Sequence, residues 1–180
     1  MKSEISFRDL PYNKKRQKYR EYSVNNGFAY EMKLFTLDRI LRGKKRDILP
    51  GLDIEMFTNN LLVDGYIAYE RVFDTKCENI IDYVAIDPIT LTNKIYDDKK
   101  IWVQYDDKPN MRRVLTEDQV LYVIYPIIDA NDSLIGQLYT KQIKLYNSDM
   151  LNDFIMTYIS DKVREYITDI IYQERNFFKK

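Results

Sequence analysis

The hydrophobic period of this chain changes twice, from about 3.6 residues to 2 and back. That change limits the fold to an α+β arrangement, with a block of strands flanked by helices. Residues 1–27 carry no clean period. From Phe28 onward, Tyr30, Leu34, Leu37 and Leu41 fall on one helical face, and Gly43 marks its end. After the turn Leu49-Pro50-Gly51, Asp53 is placed to cap a second helix with Ile54, Phe57 and Leu61 on one side, ending near Asp64-Gly65.

Period two then takes over. Tyr66 to Phe73 and Ile80 to Ile86 read as strands rich in aromatic and branched residues, the second closed by Asp87-Pro88. Lys94 to Tyr96, Ile101 to Tyr105 and Val120 to Tyr125 follow as further short strands. The turn Asp97 to Lys100 separates the first two. The spacing predicts a mainly antiparallel sheet over 66–125, with the strand charges Glu70, Arg71 and Asp82 on its solvent face.

From Ser133 the helical period returns. Ile135, Tyr139, Ile143, Tyr146, Met150 and Phe154 share one face, which predicts a long helix over 136–159. At 1.5 Å per residue such a helix is about 36 Å long, more than the roughly 20 Å covered by a short strand. It is therefore expected to project beyond the sheet and to pack against copies of itself. Tyr139, Ile143, Tyr146, Met150 and Phe154 are the expected oligomer interface. Residues 160–180 fit either a continued helix or a strand at Arg164 to Ile171.

Composition removes several function classes. The chain has no histidine, which excludes a Ser-His-Asp triad and every His-containing zinc site. Its one cysteine, Cys77, excludes an internal disulfide framework. The five glycines form no phosphate-cradling loop, and no apolar run is long enough to cross a membrane. No cofactor is expected. The acidic pairs Asp97/Asp98 and Asp106/Asp107 suit a Mg²⁺-dependent nuclease in type, but they stand where turns favour Asp for backbone reasons. Sixteen tyrosines give an aromatic content suited to half-buried faces and subunit contacts.

The net charge of zero is unevenly spread. Residues 1–50 hold 13 Lys/Arg against 6 Asp/Glu, and the remainder 15 against 22. The cations Lys14, Lys15, Arg16, Lys18 and Arg20, the trio Lys44, Lys45 and Arg46, and Lys141 and Lys144 on the third helix are the candidate contacts for nucleic acid or for an acidic partner. The chain divides into a basic arm and helix (1–50), an α+β unit (51–130), and a long helix with a C-terminal extension (131–180).

An ordered series of motifs resembles T-even-like phage portal proteins. Leu62 to Asp74 followed by Ile80 to Ile95, with the corner Ile86-Asp87-Pro88, is similar to the family's wing strands. Ile101 to Tyr105 and Leu115 to Pro126 are similar to the strands that come next. Leu134 to Ile159 is similar to the family's first stem helix, matching at Ile135-Gly136, Leu138, Lys141, Lys144, Asn147, Met150-Leu151, Asp153, Tyr158 and Ile159. The resemblance spans roughly residues 30–160 of a family whose members are much longer.

The resemblance implies a non-enzymatic subunit of a twelve-fold ring at a capsid vertex, within the virion and assembled in the host cytoplasm. Its partners would be other copies of itself, the major capsid protein, terminase, neck and tail adaptors, and duplex DNA passing through the channel, with no membrane involved. The alternative from the residues alone is a small nucleic-acid-binding module built on Lys14 to Arg20.

Overall fold

The structure is a computed structural model and describes residues 11–43, 49–105, 112–127, 133–140 and 153–179. Among these, strands β1 (Tyr66–Phe73), β2 (Ile80–Ile86) and β6 (Val120–Ile124) form one antiparallel sheet in the order β2-β1-β6. Strands β3 (Leu91–Tyr96), β4 (Lys99–Tyr105) and β5 (Arg112–Thr116) form a second, in the order β3-β4-β5. The helices are α1 (Pro11–Asn25), α2 (Gly27–Leu41), α3 (Ile54–Asp64), α4 (Leu134–Tyr139) and α5 (Ser160–Arg175). The fold is α+β, as the period changes predict, but the strands make two small sheets where one was expected.

The first sheet is covered on both faces. On one side Ile67, Tyr69, Tyr83, Leu121 and Val123 join the helices in a single core. On the other, Ala68, Ile86 and Val120 pack against Leu91, Trp102 and Leu115 of the second sheet. The register explains the division. Ala68 stands opposite Ile86 and Tyr122, while Tyr69 stands opposite Leu121, so alternate residues serve alternate layers. The larger core draws on all three stretches of the chain, from Tyr19 through Phe57 to Ile167.

Burial of β1 on both sides overturns the solvent-face reading of its charges. Glu70 and Arg71 are both buried, and each is paired across a layer. Glu70 meets Arg113 of β5. Arg71 meets Glu174 of α5 through two bonds of 2.7 Å. The Tyr83 hydroxyl donates to the same carboxylate at 2.9 Å, and Arg71 Nη1 donates to the carbonyls of Asp118 and Val120. Adjacent strand residues point to opposite faces, so this one charged pair joins β1 to both of its neighbouring layers.

Local chemistry sets the element ends. Asp53 caps α3, accepting from the amides of Glu55 and Met56, and Gly65 closes the helix at φ 78°. Asp97 and Asp98 are the two-residue turn between β3 and β4, both at positive φ, the geometry that matches the twist of a tight hairpin. The segment left open between helix and strand is the helix α5. It buries Val163, Ile167, Ile170, Ile171 and Glu174 at helical spacing.

One helical expectation is corrected in part, and another falls largely outside the described residues. In α2 the buried residues are Ala29, Lys33, Thr36, Leu37 and Ile40, while Tyr30 and Leu34 are exposed. The inward face is thus rotated from the expected one. Leu37 and Ile40 share it with the small or polar residues Ala29, Lys33 and Thr36. The single helix over 136–159 is not shown. The described pieces are α4, which ends at Tyr139, and a π-helical turn at Phe154–Ile159 leading into α5. Leu134, Ile135 and Leu138 are core residues.

Gly136 of α4 lies against the ring of Tyr19, and a Cβ there would stand 2.6 Å from Tyr19 Cε2. Both residues are fully enclosed, so the ring has little room to move. Gly136→Ala is expected to lower stability by about 1–3 kcal/mol through overpacking, despite alanine's better helix propensity. The denaturant midpoint followed by circular dichroism checks this; a midpoint at or above that of the parent chain would show that Tyr19 yields.

Candidate partner interface on the first helix

The basic cluster expected in an aperiodic arm lies on a regular helix, α1. Asn13, Arg16, Tyr19 and Ser23 point inward at helical spacing, and Lys14, Lys15 and Lys18 point to solvent. The five cations predicted as one contact surface therefore separate into two groups. The three lysines share the outer side of the helix, exposed to solvent.

Arg20 is held by this chain's own carboxylates. Its Nε and Nη2 donate to the two oxygens of Asp64 at 2.8 and 2.7 Å, and Nη2 also reaches Asp87 at 2.9 Å. Asp64 is the last residue of α3, and Asp87 caps the turn after β2 through the amide of Ile89. Arg20 thus ties α1 to the ends of two other elements. Burial pulls the Arg20 pKa down, but hydrogen bonds and charge from Asp64 and Asp87 outweigh it and hold the group above its ordinary value. Burial pushes the Asp64 carboxyl up from its ordinary value, against the pull of Arg20. A cleft of about 420 Å³ runs beside this cluster, lined also by Lys33, Asn59 and Tyr69. Burial alone lowers the pKa of Lys33, whose ammonium lies 5.2 Å from the Tyr30 ring centroid.

Arg16 is buried, with its guanidinium carbon 5.3 Å from the ring centroid of Tyr19 and 5.1 Å from that of Tyr66. Hydrophobic patterning could not reveal this inward face. Asn13, Arg16 and Ser23 recur at helical spacing around Tyr19, but polar side chains carry no mark of burial in a sequence.

Of the remaining predicted contacts, Lys44, Lys45, Arg46, Lys141 and Lys144 lie outside the described residues, as do Ile143, Tyr146 and Met150. Phe154 begins the π-helical turn. Tyr139 is half-exposed and meets the rings of Tyr19 and Tyr22 edge-on at 5.6 and 5.3 Å. The pair Asp97/Asp98 is the hairpin turn already described, and Asp106/Asp107 lies outside the described residues. Cys77 is exposed in the turn between β1 and β2.

A second surface was missed by patterning. Phe28 and Phe35 of α2 are exposed on one side of that helix, Tyr30 and Leu34 are exposed on its other flank, and Val24 in the last turn of α1 is 68% exposed. The signal was present in the sequence. The helix is apolar on three sides, which is more than a single inward stripe requires. No helix among the described residues is long and apolar enough to cross a membrane. Compared with protein-family models and with curated proteins, the chain matches none.

Proposed function

We propose that the chain is a non-enzymatic structural subunit that assembles with copies of itself into a portal-type ring at a capsid vertex. It would there meet the major capsid protein, terminase and neck or tail adaptors, and border the path of duplex DNA. The observation that carries this reading is the exposed apolar surface of α2, with Phe28 and Phe35 on one side and Tyr30 and Leu34 on the other. Exposed apolar groups concentrated on one element mark an association surface. Its support from sequence is the ordered portal-like series from Leu62 to Ile159. The acidic remainder of the chain offers a neighbour's Lys14, Lys15 and Lys18 something to meet.

A second reading, a nucleic-acid-binding module, is favoured by those same three solvent-facing lysines. It has lost two of its five cations, since Arg16 is buried and Arg20 is paired with Asp64 and Asp87.

One experiment separates the two. The native mass of the chain is measured by light scattering and by particle imaging, alongside Phe28→Glu/Phe35→Glu. The parent chain is expected to form closed assemblies of many copies, and the variant to remain monomeric with unchanged circular dichroism. A parent chain that is monomeric at every concentration, yet binds duplex DNA with an affinity that falls steeply in salt, would establish the binding module instead.

A further inference from the structure

The buried arginine of α1 faces a cavity that suits a ligand. The cavity, of about 360 Å³, lies where α1 meets both sheets, and its walls include Arg16, Lys15, Tyr66, Trp102, Tyr122 and Asn93. That size falls within the range of small-molecule sites. Arg16 is only 4% exposed, and its Nε and Nη1 have no hydrogen-bond partner among the described residues. Buried N–H donors without an acceptor are costly, and here Nε and Nη1 have lost water and gained no acceptor among the described residues. The rings of Tyr19 and Tyr66 attract the positive charge but offer no lone pairs to those donors. The nearby carboxylate that feels the charge of Arg16 is Asp64, and Arg20 already engages both of its oxygens.

We propose that this cavity binds a small organic oxyanion, a phosphate or carboxylate carried on a flat apolar body, with Arg16 holding the oxyanion. An oxyanion supplies the acceptors that Arg16 lacks, and charge-assisted bonds of this kind are the strong ones. The ammonium of Lys15 adds charge at the rim. Tyr66 and Tyr122, whose rings pack against each other with centroids 5.9 Å apart, give the cavity an aromatic wall that suits a flat body in place of a bare ion.

The chain carries its own reporter, because Trp102 in the cavity wall is its sole tryptophan. Its fluorescence is followed while the full chain is titrated with phenyl phosphate, benzoate, inorganic phosphate and phenol. Phenyl phosphate or benzoate is expected to give a saturable change, and whichever binds more tightly identifies the oxyanion. Phenol should bind about tenfold more weakly or worse, the effect of losing a charge-assisted hydrogen bond. Arg16→Met should weaken the preferred ligand by about tenfold or more while circular dichroism stays unchanged. If neither aromatic anion gives a saturable response, or if Arg16→Met binds as the parent does, the proposal is wrong. Inorganic phosphate binding as tightly as phenyl phosphate would remove the flat body from it. Should Arg16→Met fail to fold, two results decide. Arg16→Lys, which keeps the charge but not the paired donors, should bind more weakly, and the parent's thermal midpoint should rise with the preferred anion but not with phenol. Absence of both effects overturns the assignment.

Discussion

Glu174→Ala is expected to cost about 3–5 kcal/mol of folding stability, the range seen when one member of a buried ion pair is removed. Small domains are stable by only about 5–15 kcal/mol in total, so a loss of this size would leave the chain marginal. The cost comes from what is left behind. Glu174 accepts two bonds from Arg71 and one from Tyr83, in a region where Arg71 and Glu174 are each about nine-tenths buried. Without the carboxylate, the Arg71 guanidinium keeps only its bonds to the carbonyls of Asp118 and Val120 and its contact with the Phe177 ring at 4.6 Å. The double variant Arg71→Met/Glu174→Leu should recover most of the loss, since it removes both charges and leaves apolar side chains of similar length. Denaturant midpoints of the single and double variants test the account. A single variant within about 0.5 kcal/mol of the parent, the scatter of ordinary surface changes, would show that the pair is not what fastens α5 to the sheet.

The same pair marks a limit of sequence reading. The strands Tyr66–Phe73 and Ile80–Ile86 were legible to the residue, because aromatic and branched residues cluster there and turn residues bound them. Their grouping was not legible. β6 pairs with β1 from more than forty residues away, and nothing local says that β3, β4 and β5 make a sheet of their own. Once β1 is a central strand covered on both faces, charges within it must be paired, and Glu70 and Arg71 turn from solvent markers into the links between layers. Composition cannot reveal this, because Arg113 and Glu174 lie 43 and 103 residues from their partners.

The helices show the converse. Hydrophobic period placed α2 and α3 to within a residue or two, but on α2 only half of the expected face, Leu37 and Leu41, turns inward. Tyr30 and Leu34 look like core residues, yet Ala29, Thr36 and the stem of Lys33 occupy the inside. An apolar side chain turned outward satisfies the same period as one turned inward, so the pattern is ambiguous wherever a helix has two apolar flanks. α1 went unread for the opposite reason, its inward face being polar apart from Tyr19. In the candidate interface, Lys14, Lys15 and Lys18 stand where a solvated cluster would put them. The two arginines were withdrawn by contacts that only the fold supplies.

Alkaline conditions are expected to unfold the chain cooperatively above about pH 10, where free tyrosine ionises. Tyr69, Tyr83 and Tyr125 are all buried. Burial pushes the Tyr69 phenol up to about 12, with the charge of Asp53 adding to it. Burial also raises Tyr83, helped by the charge and hydrogen bond of Glu174, and burial alone raises Tyr125. The sign follows from proton counts. Above pH 10 the unfolded chain releases these protons while the folded chain keeps them, so stability falls as pH rises. Their contribution is complete below the ordinary phenol value and is lost progressively above it. Each such group costs about 1.4 kcal/mol per pH unit, so three cost about 4 kcal/mol per unit, and two units approach the whole stability of a small domain. Tyrosinate absorbance and far-ultraviolet circular dichroism, recorded together, should therefore change in a single step for the buried phenols, after the exposed ones have titrated. Tyr125→Phe should move that step to higher pH without loss at neutral pH, because the Tyr125 hydroxyl has no hydrogen-bond partner among the described residues. Smooth ionisation of all sixteen tyrosines near pH 10 with secondary structure intact would mean that these phenols are open to water, and that the core around β1 is not closed as described.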